Sequence, residues 1–115
     1  MHELSIALSI LDAVQDEMDQ RGCSTVEAVH VKVGMLAGIV PEALLSAYEL
    51  AAEQTPLASA RLVIEEVPIV IYCSTCRRQQ SLPSAQWLCC PVCQEPAAEF
   101  VSGRELELCA LELPE

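Results

Sequence analysis

The sequence predicts an α+β fold: two helices on one face of a small mixed three-stranded sheet, plus an inserted four-cysteine, zinc-ribbon-like module. Three observations carry this reading. Helical apolar periodicity alternates with strand periodicity through the first seventy or so residues, four cysteines then stand in two close pairs, and a further alternating stretch follows them. At 115 residues the chain has the length of one ordinary domain, or of one small core plus a module too short to bury a core of its own. The cysteine pairs select the second option, with 1–72 and 98–115 as an α/β domain and 73–97 as a metal-stapled insert.

From Leu4 to Arg21, the residues Ile6, Ala7, Ile10, Leu11, Val14 and Met18 fall at helical spacing, and Gly22 is available to end the helix. Val29, Val31 and Val33 alternate with His30 and Lys32, which describes a half-buried strand ending at Gly34. Pro41 opens a second helix with Glu42 near its positive end, Ala43, Leu44, Ala47, Tyr48 and Ala51 lie along one side, and Thr55-Pro56 closes it. A second strand runs from Arg61 to Tyr72, where Glu65-Glu66 and Pro68 interrupt the alternation and mark a bulge or a transition into the metal module. Strand, helix, strand is a crossover unit, so these two strands should be parallel. Phe100 to Leu113 reads as a last strand or hairpin: Leu106, Leu108 and Ala110 alternate, and the phase then slips to Leu111 and Leu113.

Cys73-Ser74-Thr75-Cys76 and Cys90-Pro91-Val92-Cys93 are each C-x2-C, and 13 residues separate the pairs. Two thiolates so spaced can face one ion across a tight turn, and a second pair closes a tetrahedron, which is the pattern of a structural zinc clasp. The spacing is specific for metal and silent about function. Cys90 makes a better knuckle than its neighbour Cys89, because Cys89 with Cys93 would be C-x3-C and Pro91 stiffens the shorter turn. Trp87 is expected to cover the zinc loop.

Composition limits the partners. Six basic against seventeen acidic residues give a net charge of −11, and four thiolates on one zinc would add about two more negative charges. Such a surface repels phosphate backbones, so no nucleic acid is expected as a partner. No apolar run approaches the ~20 residues of a membrane span and no basic n-region precedes an apolar one, so the expectation is a cytoplasmic protein with no membrane partner. Seven cysteines cannot all pair as disulfides, whereas four on a metal with Cys23, Cys89 and Cys109 free suits a reducing compartment. No catalytic triad can be assembled from two histidines without adjacent nucleophiles, and the glutamates at 65, 66, 105, 107 and 112 read as solvated strand faces.

The amino terminus carries a second set of donors. His2 is too bulky at position two for efficient removal of the initiator methionine. Its imidazole can chelate a metal together with its own backbone nitrogen, and the nitrogens of Met1 and Glu3 lie within reach for five-membered rings. Nickel(II) and copper(II) favour such planar nitrogen fields. His2 cannot donate ring and backbone while both neighbouring nitrogens also bind in the same plane, so the ligand set stays open. His30, on the polar face of its strand, reads as solvated.

Taken together, Met1-His2-Glu3-Leu4-Ser5, Val31-Lys32-Val33-Gly34, Val40-Pro41-Glu42-Ala43-Leu44, Ala47-Tyr48-Glu49, Ile64-Glu65-Glu66, both cysteine pairs and Gly103-Arg104-Glu105-Leu106 closely resemble the HypA/HybF family of hydrogenase nickel-insertion proteins. The resemblance covers essentially the whole chain in order. It implies a nickel metallochaperone, not an enzyme, that binds transient nickel at its N-terminus and helps deliver it to the [NiFe]-hydrogenase large subunit during maturation. By the same resemblance His2 is the principal nickel ligand, Glu3 supports binding with its backbone nitrogen, Met1 offers its amine, and Cys73, Cys76, Cys90 and Cys93 hold structural zinc. The partners it implies are a maturation GTPase of the HypB type and the hydrogenase large subunit, with urease accessory proteins and a homodimer also within the family's range. Two departures from the family pattern bear on the zinc module: Cys89 stands beside the second knuckle with Gln94 where glycine often follows one, and the module has no histidine, so a second nickel ligand from there, as some relatives use, cannot be imidazole. The residues alone also admit a zinc-ribbon interaction module, a rubredoxin-like electron carrier held by Cys-Pro-x-Cys, or a dithiol oxidoreductase.

Overall fold

The computed structural model describes residues 3–114. In chain order the elements are α1 (Glu3–Arg21), β1 (Ala28–Gly34), α2 (Pro41–Ala52), β2 (Arg61–Val67), β3 (Ile69–Cys73), β4 (Arg78–Leu82), β5 (Glu99–Ser102) and β6 (Leu106–Glu112). They form two three-stranded sheets, ordered β2-β1-β6 and β4-β3-β5. The chain divides into two compact units, one comprising the residues up to Val31, Ile39–Glu65 and those from Glu107 on, the other Lys32–Gly38 and Glu66–Leu106.

In the first unit, α1 buries Ala7, Ile10, Leu11, Val14 and Met18, which recur at helical spacing, and α2 buries Leu44, Tyr48 and Ala52 against it. Gly22 takes φ 67° and lets the amide of Cys23 reach back to the Met18 carbonyl at 3.1 Å, which closes the end of α1. At the end of α2, the Thr55 hydroxyl donates to the Ala52 carbonyl at 2.6 Å and accepts from the Leu57 amide at 3.1 Å. Val29 and Val31 are buried while His30 between them is partly exposed, as a strand with one face on the helices requires. The Arg61 amide donates to the Glu27 carbonyl and the Glu27 amide to the Glu112 carbonyl, so β2 starts and β6 ends beside the start of β1. The sheet is therefore mixed: β1 and β2 are parallel, as the crossover predicts, and β6 is antiparallel. Tyr48, 1% exposed, satisfies its hydroxyl on the Ala60 carbonyl at 3.1 Å.

In the second unit, β3 is the central strand and buries Ile69, Ile71 and Cys73. It pairs antiparallel with β4, Ile69 opposite Leu82 and Cys73 opposite Arg78, and with β5 through a register shift between Val70 and Ile71. The stretch from Arg61 to Tyr72 is thus two strands in two sheets. Pro68 separates them, since it lacks the amide that a continuous ladder would need. The stretch from Phe100 to Leu113 likewise splits at Gly103, where β5 joins β3 and β6 joins β1.

Gly34 and Gly103 meet backbone to backbone. A Cβ on Gly34 would overlap the Gly103 carbonyl and lie 2.6 Å from the Arg104 nitrogen. Gly34→Ala should therefore cost at least ~3 kcal/mol in chemical denaturation followed by circular dichroism, because backbone cannot yield as a side chain can. Gly22→Ala, whose Cβ meets nothing within 4 Å, should cost only the ~1–2 kcal/mol of a left-handed residue.

Candidate metal centre

Strand β3 ends on Cys73 and β4 begins at Arg78, so the first cysteine pair occupies the hairpin turn between two paired strands. Within it the Cys76 amide points at Cys73 Sγ (3.4 Å) and the Arg77 amide bonds the Cys73 carbonyl (2.7 Å). The second pair repeats the arrangement: the Val92 amide faces Cys90 Sγ (3.4 Å) and the Gln94 amide bonds the Cys90 carbonyl (2.9 Å). Arg77 and Gln94 follow their knuckles with φ of 58° and 70°. Gln94 thus adopts the left-handed conformation that glycine favours, and the departure from glycine leaves the knuckle closed. The Cys90 amide on the Glu95 carbonyl, the Ala97 amide on the Leu88 carbonyl and a bridge from Cys89 to Pro96 tie the base of this loop.

The four sulfurs of Cys73, Cys76, Cys90 and Cys93 lie within 4.8 Å of one another, with Cys73 to Cys93 at 3.4 Å and Cys76 to Cys90 at 3.9 Å. Four thiolates at ~2.3 Å from one tetrahedral ion would be ~3.8 Å apart, so the cluster fits a single closed metal site. Among the described residues it is the one such group of histidine, cysteine or acidic side chains. Burial and then the neighbouring sulfurs push Cys76 up to about 12, while the Cys93 amide, against burial, draws Cys90 down to about 7. A divalent cation at the centre favours all four thiolates and releases their protons. Cys89 stays outside the cluster, and the exclusion of Cys89 in favour of Cys90 follows from the shorter turn. Trp87, expected to cover the loop, is 59% exposed.

Of the amino-terminal donors, Met1 and His2 lie outside the described residues. Glu3 is the first residue of α1, in a turn whose amides have no carbonyl partner inside the helix. Its carboxylate accepts the Val40 amide at 3.3 Å, just ahead of α2. Its own amide first, and that of Val40 next, hold this carboxyl below the usual carboxylate value. The side chain thereby links the starts of the two helices.

His30 is not simply solvated. Its Nε2 sits 2.5 Å from Glu112 Oε2, and Arg61 Nη2 lies 3.6 Å from the same oxygen, so one polar contact spans all three strands of the first sheet. Cys109, on β6, directs its thiol to the His30 carbonyl at 3.3 Å. The sequence distance of 82 residues hides this pair, and only the antiparallel placement of β6 on β1 would reveal it.

The family model described as hydrogenase/urease nickel incorporation, metallochaperone, HypA matches residues 1–113. The chain belongs to the HypA family. It is 46% identical over 114 residues to the hydrogenase maturation factor HypA of Chloroflexus aurantiacus, covering 99% of this chain and 100% of that one. To the hydrogenase maturation factor HypA of Solidesulfovibrio magneticus it is 44% identical over 116 residues, covering 98% of this chain and 99% of the relative. The solution structure of the Ni metallochaperone HypA from Helicobacter pylori shares the fold at a TM-score of 0.69 and 22% identity, over 98% of this chain and 97% of that one. This HypA-family chain combines two helices and two small sheets with a four-cysteine metal-binding group.

Three measurements test the geometry. Metal analysis of the purified protein should give one divalent ion per chain at the sulfur cluster, and Cys73→Ser should lose that ion together with the dispersed amide signals of 66–106. Gln94→Val should release the ion to a chelator at least ~10-fold faster, because a β-branched residue resists positive φ by ~1–2 kcal/mol, whereas Gln94→Gly should release it no faster than wild type. At Glu112, bonding to His30 first, and Arg61 after the opposing effect of desolvation, hold the carboxyl below its ordinary 4.5. A depressed carboxyl contributes stability that is present above 4.5 and lost as pH falls through the lower folded value, so Glu112→Gln should flatten this part of the acid limb in thermal melts.

Proposed function

We propose that this HypA-family protein is a nickel metallochaperone that binds Ni(II) at its N-terminus and helps deliver it to the [NiFe]-hydrogenase large subunit, with structural zinc at a separate site. The observation that carries the reading is the match over residues 1–113, which takes in Met1-His2-Glu3 and both cysteine pairs within one nickel-incorporation family. Nickel is the cargo. His2 supplies the imidazole as principal donor, backbone nitrogen from His2 or Glu3 completes a planar field, and the Met1 amine is a further donor. The Glu3 carboxylate is engaged by its own amide and by that of Val40, so in this reading nickel at the Glu3 nitrogen replaces the proton that the carboxylate holds.

Cys73, Cys76, Cys90 and Cys93 would hold zinc, whose chemistry here is that of a redox-inert crosslink. The chain's residues do the rest: β3 and β4 fix the first knuckle, and the Glu95 and Leu88 carbonyls fix the second. No substrate is turned over. A carrier must let its ion go, so an exposed nitrogen field that reprotonates suits cargo, and a closed thiolate set suits a resident ion. The partners in this reading are a maturation GTPase of the HypB type and the hydrogenase large subunit, in the cytoplasm, with urease accessory proteins and a homodimer within its scope. Among the described residues no helix is long and apolar enough to cross a membrane.

Nickel titration with zinc analysis on the same samples tests this. Wild type should bind one Ni(II) per chain, and His2→Ala should bind at least ~100-fold more weakly with its zinc unchanged. Each proton displaced by the metal should make the affinity fall ~10-fold per pH unit on acidification. Tight nickel binding by His2→Ala would overturn the assignment.

A further inference from the structure

The net charge of −11 is not shared between the two units. The first unit carries thirteen acidic and two basic residues, and the second carries four of each. Within the first unit the two helices hold one basic residue, Arg21, and it is occupied by Glu17 at 2.9 Å. Their outer surface is therefore acidic with no free cation of its own.

Apolar side chains interrupt that surface in two places: Leu45 and Leu50 along α2, 37% and 65% exposed, and a group beside the starts of the two helices. Leu4 and Leu8 lie one turn apart on the outer side of α1 and are 49% and 50% exposed. Val40, 55% exposed, stands ahead of α2, and the Glu3 carboxylate bonded to its amide brings it to the start of α1. Neither leucine contributes to the core, which Ala7, Ile10, Leu11, Val14 and Met18 already fill. Asp12 and Asp16 continue the line of Leu4 and Leu8 along α1, and Glu42 flanks Val40; all three are exposed. An apolar centre with a charged margin is the form of a protein docking site, and here the margin has a single sign.

We infer that Leu4, Leu8 and Val40, with Asp12, Asp16 and Glu42 around them, form the docking face for a partner protein that presents an apolar anchor ringed by lysine or arginine. The sign of the margin decides among occupants. A second copy meeting this face on a two-fold axis would set the same aspartates and glutamate against themselves, and an anionic lipid surface would be repelled likewise. A basic partner gains both the apolar burial and the ion pairs that this chain leaves unmade. The inference rests on the proposed nickel delivery for its meaning, since Leu4 follows His2 by two residues and a partner on this face would sit beside the cargo in sequence.

The test uses the full-length zinc form without nickel and the purified maturation GTPase as probe, with binding measured at low and moderate salt. Leu4→Ser/Leu8→Ser should weaken binding at least tenfold at both salt concentrations, while Asp12→Asn/Asp16→Asn should weaken it chiefly at low salt and shrink the salt dependence. Both variants should keep wild-type melting behaviour, since all four side chains are exposed, and wild-type nickel affinity. Wild-type affinity in both variants, no binding by wild type, or self-association that Leu8→Ser abolishes would each overturn the docking face. Failure of the nickel reading is separate: it would appear as nickel binding that ignores His2→Ala, whatever the GTPase does.

Discussion

Closure of four sulfurs around one centre is the constraint on which the second unit depends. Its buried cluster is Ile69, Ile71, Cys73, Leu82 and Cys90, so two of the five core members are themselves metal-site cysteines. That is too little apolar surface to order about fifty residues against their chain entropy, which is the ordinary predicament of small modules. An ion joining the β3–β4 turn to the Cys90–Cys93 turn would offset that cost with on the order of 10 kcal/mol of binding free energy. The left-handed residues Arg77 and Gln94, and the close approach of Gly34 and Gly103, are tolerable only in a backbone held this firmly.

The first unit is held by different means. Val29 and Val31 of β1, the inward stripes of α1 and α2, and Leu57, Ala60 and Leu62 bury enough aliphatic surface to need no staple. It has the charge instead. Thirteen carboxylates around two cations repel one another, and the unit tolerates this because, among the described residues, no charged side chain is buried in its core. The acids paired with basic side chains among the described residues, Glu17 on Arg21 and Glu112 on His30 and Arg61, are exceptions in that field.

Much of this was legible in the residues. The apolar periods of α1 and α2, the alternation of β1, Pro41 at a helix start and the parallel pairing of β1 with β2 follow from local rules, and the cysteine spacing named the sulfur cluster. What escaped reading depends on partners distant in sequence. Arg78-Gln79-Gln80-Ser81-Leu82 has little strand propensity, and it becomes β4 because the knuckle turns it back onto β3. Pro68 and Gly103 were visible as interruptions, but that each sends the chain into another sheet depends on which strand lies alongside. The His30–Glu112 pair needs β6 laid on β1, and the exposure of Trp87 needs the loop path. The amino-terminal donors were read from residue types and resemblance, and Met1 and His2 stay outside the described residues.

The sulfur cluster and the proposed amino-terminal nitrogen field differ in the hardness of their donors, and in the proposed reading that difference sorts their ions without any recognition of size. Four thiolates prefer soft and borderline ions and give them up slowly, so in the proposed reading zinc would fill Cys73, Cys76, Cys90 and Cys93 and stay. An imidazole with backbone nitrogens prefers nickel or copper in a planar field, and in a reducing compartment copper is held as Cu(I), which takes sulfur instead. The carboxylates of the first unit bind neither ion tightly, yet their field raises the local concentration of any divalent cation. In the proposed mechanism the acidic surface gathers divalent cations, the sulfur cluster stays closed by its resident ion, and the nitrogen field selects nickel by donor type. Such an arrangement places nickel selectivity in donor chemistry as much as in the geometry of one site.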